Sequence, residues 1–317
     1  MRIIFLGTPN FAKVVLEELL SSNHEVVCAV CQTDKPNQRG NKIEYCDVKK
    51  FALEKGIKLF QFKNINSEVE KLKNLGADVI VTAAYGQILK QEILTLCKYG
   101  VVNVHGSLLP KYRGASPIQY AILKGEKVTG VTIMKSDIGM DTGDIMLQSE
   151  IEISETDNSQ TLFDKMAILG GKTLIKALDL LEKGQITFTK QDSSQASYSK
   201  LLKKENAFIN YSLSARRCNN KIRAYNPNPV AKTIIEDQIF KIYSARVINE
   251  DFDGENGEIV FADTKNGLVI KCQEGALEIL ELSPPNGKRM TAKAYLNGKK
   301  LQLKSVCKWK EYYKTYH

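Results

Sequence analysis

One stretch of the chain reads Asn103-Val104-His105-Gly106-Ser107-Leu108-Leu109-Pro110, and a later one reads Asp137-Ile138-Gly139-Met140-Asp141-Thr142-Gly143-Asp144. Together they supply an amide, an imidazole and carboxylates, the groups that a reaction at a carbonyl carbon needs. An amine attacking an acyl carbon makes a tetrahedral centre with a negatively charged oxygen. Donors aimed at that oxygen give the largest single stabilisation, each typically worth ~3 kcal/mol. Asn103 and His105 are natural donors. A proton must also leave the attacking nitrogen and reach the departing one, which calls for a carboxylate or imidazole in direct or one-water reach. Asp141 is the candidate, because its flanking glycines allow an unusual loop path close to a substrate; it would also hold His105 protonated or correctly oriented. Asp137 and Asp144 are rivals, and any of the three can instead be a turn aspartate bonding its own backbone.

These groups need a frame. Val101 and Val102 are β-branched and read as part of a buried strand. Residues two apart on a strand project to the same side, so Asn103 and His105 share a face. Gly106 ends the strand where an open α/β sheet presents its binding crevice. His105 is one of three histidines, with His24 and His317. A histidine at a strand end can equally be a core residue; the amide two residues away and the acidic loop favour the catalytic reading.

The upstream chain alternates strand and helix. Arg2–Leu6 is an apolar strand, and Gly7-Thr8-Pro9 is a turn with Thr8 as helix cap and Pro9 in the first helical turn. Val14, Val15, Leu16, Leu19 and Leu20 supply an apolar helix face, and Glu25–Cys31 returns as a strand. Asp78–Ala84 and Gly100–His105 are further strands, and a long helix runs near Gln160–Leu181. This is the rhythm of a doubly wound, mainly parallel sheet. The first turn has a single glycine rather than Gly-x-Gly-x-x-Gly, so no tightly held dinucleotide is indicated.

At 317 residues the chain has room for one very large or two ordinary domains. No apolar run reaches the ~20 residues of a membrane span, and the amino terminus lacks a signal-peptide layout. Seven scattered cysteines fit a reducing, cytoplasmic setting better than a disulfide framework. Cys28 and Cys31 have metal spacing but lie in a strand-like run, where residues three apart face opposite ways, so no metal is expected.

Polar residues cluster at 190–200, which reads as a linker. The expected division is a catalytic domain over 1–189, a linker over 190–204 and a second domain over 205–317. The second domain carries +5 of the formal net charge of +9 on its 113 residues, as a surface meeting phosphate would. It opens on a helix, Ser212–Tyr225, bearing Arg216, Arg217, Lys221 and Arg223. Short strands follow at Val230–Ile235, Gln238–Val247, Glu258–Ala262, Leu268–Cys272 and Ala276–Leu282, a spacing that argues for a small barrel.

A family resemblance rests on specific residues. Phe5-Leu6-Gly7-Thr8-Pro9, Ala84-Tyr85-Gly86, Asn103 through Pro110 continuing as Lys111-Tyr112-Arg113-Gly114-Ala115-Ser116-Pro117-Ile118-Gln119, Gly130-Val131-Thr132-Ile133-Met134, and Asp141-Thr142-Gly143-Asp144 together resemble the methionyl-tRNA formyltransferases. Ile222-Arg223-Ala224-Tyr225-Asn226-Pro227 extends the likeness into the second part. The resemblance implies a Rossmann-like formyltransferase domain joined to a smaller C-terminal OB-like β-barrel. The implied reaction moves a formyl group from 10-formyltetrahydrofolate, a co-substrate, to the amino group of methionine on aminoacylated initiator tRNA. By position, the family's catalytic asparagine, histidine and aspartate fall on Asn103, His105 and Asp141. Its folate-binding segment falls on Ser107, Leu108, Leu109 and Pro110. An apolar slot with a few backbone donors and acceptors suits a folate ring, and Tyr85 and Gly86 are expected as its opposite lip.

The loop Gln32–Lys42 resembles the family's insertion that reaches the tRNA acceptor end. Arg39 would contact phosphate or an end base, with Lys35 and Lys42 in support, and Arg216 and Arg217 would add contacts from the second domain. Such binding is expected to weaken strongly with salt. No membrane and no obligate protein partner are implied. Three other readings compete: a sugar-nucleotide formyltransferase, a glycinamide ribonucleotide formyltransferase, which leaves about a third of the chain unexplained, and a non-catalytic RNA-binding module. The Asp34–Gly40 loop, the basic second part and the intact trio argue against them. Asn10, Lys90 and Asn228 depart from the family's usual acidic, proline and aromatic residues.

Overall fold

A computed structural model of the chain describes residues 1–34, 36 and 43–309. The chain divides into two compact units. The first holds Met1–Pro117, Val128–Glu152 and Phe163–Ser199; the second holds Ile118–Lys127, Ile153–Leu162 and the chain from Lys200 onward.

In the first unit the chain runs through β1 (Arg2–Gly7), α1 (Asn10–Leu20), β2 (Glu25–Cys31), α2 (Asp47–Glu54), β3 (Leu59–Gln61), α3 (Val69–Lys73), β4 (Val79–Ala83), α4 (Gln91–Leu94) and β5 (Val101–His105). There follow the short β6 (Arg113–Gly114), α5 (Pro117–Lys124), β7 (Val128–Lys135), β8 (Ile145–Glu152) and the long α6 (Ser159–Glu182). Helices α5 and α6 each cross from one unit into the other. Seven strands form one sheet in the order β3-β2-β1-β4-β5-β7-β8. The pairs from β3 to β5 are parallel, whereas β5–β7 and β7–β8 are antiparallel. The sheet is mainly parallel but mixed.

Strand β1 is a continuous apolar run because it is central: Ile3, Ile4, Phe5 and Leu6 are fully buried. Burying each such side chain contributes roughly 1.5–3 kcal/mol. The lone glycine of the first turn has a packing reason. A Cβ on Gly7 would lie 2.5 Å from that of Ala12 and 3.0 Å from the carbonyl oxygen of Ala83, so glycine lets α1 and β4 close on β1. Thr8 is not the cap of α1. Pro9 holds that position, and the Thr8 hydroxyl donates to the Tyr85 carbonyl at 3.2 Å, tying the ends of β1 and β4 together.

The polar 190–199 segment, read as the start of a linker, is built into the first unit. Its last residues form β9 (Tyr198–Ser199), which pairs in parallel with β6. Arg113 N–H donates to the Ser197 carbonyl at 2.8 Å and Ala115 N–H to that of Ser199 at 3.0 Å. A run of Ser, Gln and Asp looks like a tether in sequence because its local bonds are those of a turn, Asp192 capping Ser193–Gln195, while the bonds that seat it on β6 are made to distant backbone.

In the second unit α7 (Ala215–Tyr225) starts at Ser214, whose hydroxyl accepts from Arg217 N–H, rather than at Ser212. After it come β10 (Ala231–Ile235), β11 (Gln238–Ile248), β12 (Ile259–Asp263), β13 (Gly267–Lys271), β14 (Ala276–Ser283), β15 (Met290–Thr291) and α8 (Ala292–Gly298). The main order is β10-β11-β14-β13-β12, antiparallel throughout. The last described segment bridges the two free edges: Lys308 pairs with Ile234 beside β10, and Val306 pairs with Glu258 beside β12. This closes the small barrel and leaves neither edge strand exposed as a pairing template.

Candidate active site

Strand β5 places Asn103 opposite Thr82 on β4 and Met134 on β7, and His105 opposite Thr132. Asn103 is half-buried and His105 is 6% exposed. Loops from both sides lock the imidazole. Its Nε2 lies 3.1 Å from the Tyr112 carbonyl oxygen, and its Nδ1 lies 3.6 Å from Oδ1 of Asp141. A carbonyl only accepts hydrogen bonds, so Nε2 carries the proton. In neutral His105, Nδ1 is then a bare acceptor facing a carboxylate oxygen. Two acceptors that face each other want a proton donor between them, and an attacking amine is one.

Burial drives the His105 pKa below its ordinary 6.5, although the Asp141 carboxylate and the Tyr112 carbonyl both push it upward. Neutral imidazole is therefore the resting form near neutral pH. A hydrogen bond from His105 to an oxyanion must come from Nδ1, and only after that atom has taken up a proton. This orders the donor role expected from sequence: acceptor first, donor second.

Asp141 is held by its other oxygen, Oδ2, which accepts from Gly114 N–H at 2.8 Å. The rivals separate. Asp137 accepts from Gly139 N–H at 3.0 Å and from the Thr142 hydroxyl at 2.6 Å, so it is the turn aspartate. Among the three, Asp141 has its carboxylate beside His105. Three non-glycine residues around the site adopt left-handed backbone: Ala84 (φ 45°), Tyr112 (φ 60°) and Asp141 (φ 53°). Such strain costs on the order of 1 kcal/mol or more per residue and persists only where the surroundings over-determine it.

Two residues that sequence reasoning missed provide part of that restraint. Gln191 Nε2 donates to the carbonyl oxygens of Asp141 at 2.9 Å and Gly143 at 2.8 Å. Its Oε1 accepts from Nε and Nη2 of the buried Arg113 at 3.0 and 2.8 Å. Farther along, Ser197 Oγ accepts from Tyr112 N–H at 2.9 Å, which braces the carbonyl that fixes the histidine tautomer.

The segment expected to bind folate follows β5 directly. Ser107 and Leu109 are buried, while Leu108 and Pro110 are half-buried. Thr132 and Gln148, also missed, hold its backbone. The Thr132 hydroxyl donates to the Ser107 carbonyl at 2.6 Å and accepts from Leu109 N–H at 3.0 Å; Gln148 Nε2 donates to the Leu109 carbonyl at 3.0 Å. Leu108 rests on Gly130, where an added Cβ would come within 2.6 Å of its Cδ2. The apolar surface that remains belongs to Leu108 and Pro110, which suits a flat ring. On the other side, the Tyr85 side chain is no lip: it packs in the core with Leu6, Val30 and Phe62, and its carbonyl accepts from Thr8 and Gln32. Gly86 (φ 86°) is exposed, and on the same loop Ile88 is a large apolar side chain 84% exposed.

Of the residues expected at tRNA, Lys35, Arg39 and Lys42 lie outside the described residues. The loop that carries them leaves a firm base, where Asp34 pairs with Lys49 and accepts from Gln61 Nε2, and Pro36 bridges to Ile43. Arg216 and Arg217 are exposed on α7, with Arg216 3.5 Å from Glu155. Arg223 on the same helix has a different role: it donates to the Asp157 carbonyl at 2.6 Å and to Asn220 at 3.2 Å, anchoring the helix.

A family profile described as formyl transferase matches residues 1–178, and one described as its C-terminal domain matches residues 201–300. The methionyl-tRNA formyltransferase of Caldanaerobacter subterraneus subsp. tengcongensis is 41% identical over 311 residues, 97% of this chain and 100% of its own. That of Acetivibrio thermocellus is 43% identical over 303 residues, covering 95% and 97% of the two chains. The chain belongs to the methionyl-tRNA formyltransferase family. Among solved structures the family's fold recurs in WlaRD, a sugar 3N-formyl transferase crystallised with dTDP and 5-N-formyl-THF (TM-score 0.66, 24% identity, covering 91% of this chain and 99% of that one). It recurs also in HypX from Aquifex aeolicus with tetrahydrofolic acid (TM-score 0.64, 17% identity, covering 96% of this chain and 51% of that one).

Proposed function

We infer that the chain transfers a formyl group from 10-formyltetrahydrofolate to the free amino group of methionyl-initiator tRNA, giving formylmethionyl-tRNA for translation initiation. The observation that carries the site assignment is the His105–Asp141 pair, 3.6 Å apart, with Nε2 already tied to Tyr112.

In this reading the neutral amine attacks the formyl carbon, and the carbonyl electron pair moves onto oxygen. Asn103 donates its side-chain N–H to that oxygen. His105 Nδ1 takes the proton released by the new ammonium, directly or through one water, and Asp141 stabilises the resulting imidazolium. The protonated Nδ1 then returns the proton to the departing folate nitrogen as the carbon–nitrogen bond breaks, leaving tetrahydrofolate. Leu108 and Pro110 form one wall of the folate slot, above the backbone that Thr132 and Gln148 hold. The opposite lip is the Gly86 backbone with Ile88, in place of the Tyr85 ring. No group of three or more His, Cys, Asp or Glu residues among those described is placed to hold a metal.

Arg39, with Lys35 and Lys42, engages the tRNA acceptor end, and Arg216 and Arg217 meet its phosphates. Arg39→Ala is expected to lower kcat/KM for methionyl-tRNA by on the order of tenfold or more while folate affinity stays unchanged. Isothermal titration with folate beside formylation kinetics separates the two; equal losses would refute a tRNA-specific loop. No helix among the described residues is long and apolar enough to cross a membrane, and the proposed location is the cytoplasm, where initiator tRNA is charged. The function itself is tested by supplying formyl-labelled 10-formyltetrahydrofolate with methionyl-initiator tRNA and an amino-sugar nucleotide in one reaction. Label is expected on the tRNA. Label on the sugar would make the chain a sugar formyltransferase.

A further inference from the structure

We propose that Gln191, acting with Arg113, is a positioning residue for the formyl transfer: its side-chain amide holds the Asp141 turn so that the carboxylate stays against His105. The proposal rests on the catalytic reading given above and extends it to a residue fifty positions away in sequence.

The geometry is economical of donors and acceptors. A primary amide has two N–H groups, and in Gln191 they reach two carbonyls that flank Thr142, one on Asp141 and one on Gly143. The amide oxygen is gripped by two nitrogens of Arg113, a planar fork that fixes the plane of the amide and with it the direction of both N–H groups. Arg113 is 2% exposed, so this grip is shielded from competing water.

The turn needs such a hold. Asp141 stands at φ 53°, where an L-residue relaxes unless restrained. Gly143 lies flush against β7: a Cβ there would come 1.7 Å from the Lys135 carbonyl oxygen, so the turn has one seat. Gln191 pins both ends of this short stretch. Arg113 in turn precedes Gly114, whose N–H holds Oδ2 of Asp141. Gln191 therefore fixes the Asp141 backbone directly and, through Arg113, the strand that grips its carboxylate. Gln191 touches neither His105 nor the expected position of the reacting atoms, so its effect on the chemistry runs through Asp141.

The test compares Gln191→Met with the wild type in the full chain. Losing the two donors frees the turn, and a displaced general acid–base partner typically costs roughly 10²-fold. We expect kcat to fall by about that factor, with KM for 10-formyltetrahydrofolate and for methionyl-tRNA within about twofold of the wild type, since neither ligand is placed on Gln191. The second readout is the titration of His105 followed by NMR on selectively labelled histidine. With the carboxylate displaced, its midpoint moves to lower pH than in the wild type. A merely structural role would lower the melting temperature and the fraction of active enzyme but leave that midpoint in place. Should the Met variant fail to fold, Gln191→Glu, which keeps the shape and the Arg113 contact while removing the donors, is assayed at fixed neutral pH and is expected to lose kcat similarly. Unchanged kcat per folded molecule, or an unmoved His105 midpoint, overturns the proposal. Asp141→Asn assayed alongside separates the failures: a normal rate there sinks the catalytic reading itself, whereas an impaired Asp141→Asn beside a normal Gln191 variant sinks only the positioning role.

Discussion

His105→Ala is expected to lower kcat by at least ~10²-fold, the usual loss when a positioned proton-transfer group is removed. The size of the effect follows from how fully the imidazole is committed. One nitrogen is fixed on the Tyr112 carbonyl and the other faces Asp141, so the ring is held in a single orientation for taking the amine proton. The departing folate nitrogen also loses its proton source, because the Nδ1–H formed by that proton is the one returned as the carbon–nitrogen bond breaks. The fold should survive. The hydrogen bond lost from Tyr112 contributes about 1 kcal/mol, and the β5 backbone pairing with β4 and β7 does not involve the side chain. Single-turnover formylation and thermal melting on the same preparation check both halves. A near-normal rate would mean that the proton leaves by another route.

Asp141→Asn is expected to match that loss, at ~10²-fold or more, for a different reason. Asparagine keeps the shape and can still accept from Gly114 N–H, so the turn stays in place. The charge is gone, and with it the stabilisation of the imidazolium formed during transfer. The sign on His105 is fixed. Burial already lowers its pKa and the Asp141 charge raises it, so removing that charge lets it fall further. The variant histidine is neutral over a wider pH range yet a poorer proton acceptor, which predicts a slower reaction rather than one merely shifted in pH. A variant that regains full rate at any pH would contradict this role. Asp137→Asn, by contrast, removes a turn acceptor on the same loop, and its effect should be read mainly in stability.

The strand that carries the candidate site was legible because two short-range rules suffice. A β-branched pair announces Val101 and Val102, and period-two alternation puts Asn103 and His105 on one face. Asp141 was legible through its glycines, which mark a turn that packs too closely for side chains. What escaped depends on contacts across the chain. Strands β7 and β8 were not anticipated, although Val128–Lys135 is rich in β-branched residues; their antiparallel pairing makes the sheet mixed. Gln191 sits in a Ser- and Gln-rich run, and its own partners on Gly143, Asp141 and Arg113 lie 48 to 78 residues earlier, so composition pointed to a linker. Tyr85 follows a strand where an aromatic ring can turn to the crevice or to the core. The neighbouring φ 45° at Ala84 and the tie from Thr8 to its carbonyl accompany a ring that lies in the core, and neither has a local signature.

The account depends above all on the tautomer and charge of one imidazole, and histidine-selective nitrogen NMR reads these directly. With three histidines in the chain, the spectrum of His105→Ala identifies the His105 signals by their absence. In the wild type at about pH 7, where an unperturbed histidine is mostly neutral, His105 should show a protonated Nε2 and a bare Nδ1. Its titration midpoint should lie below 6.5. A proton on Nδ1 in the neutral form, or an imidazolium persisting at that pH, would contradict the account: the atom facing Asp141 could not then accept the proton of the attacking amine.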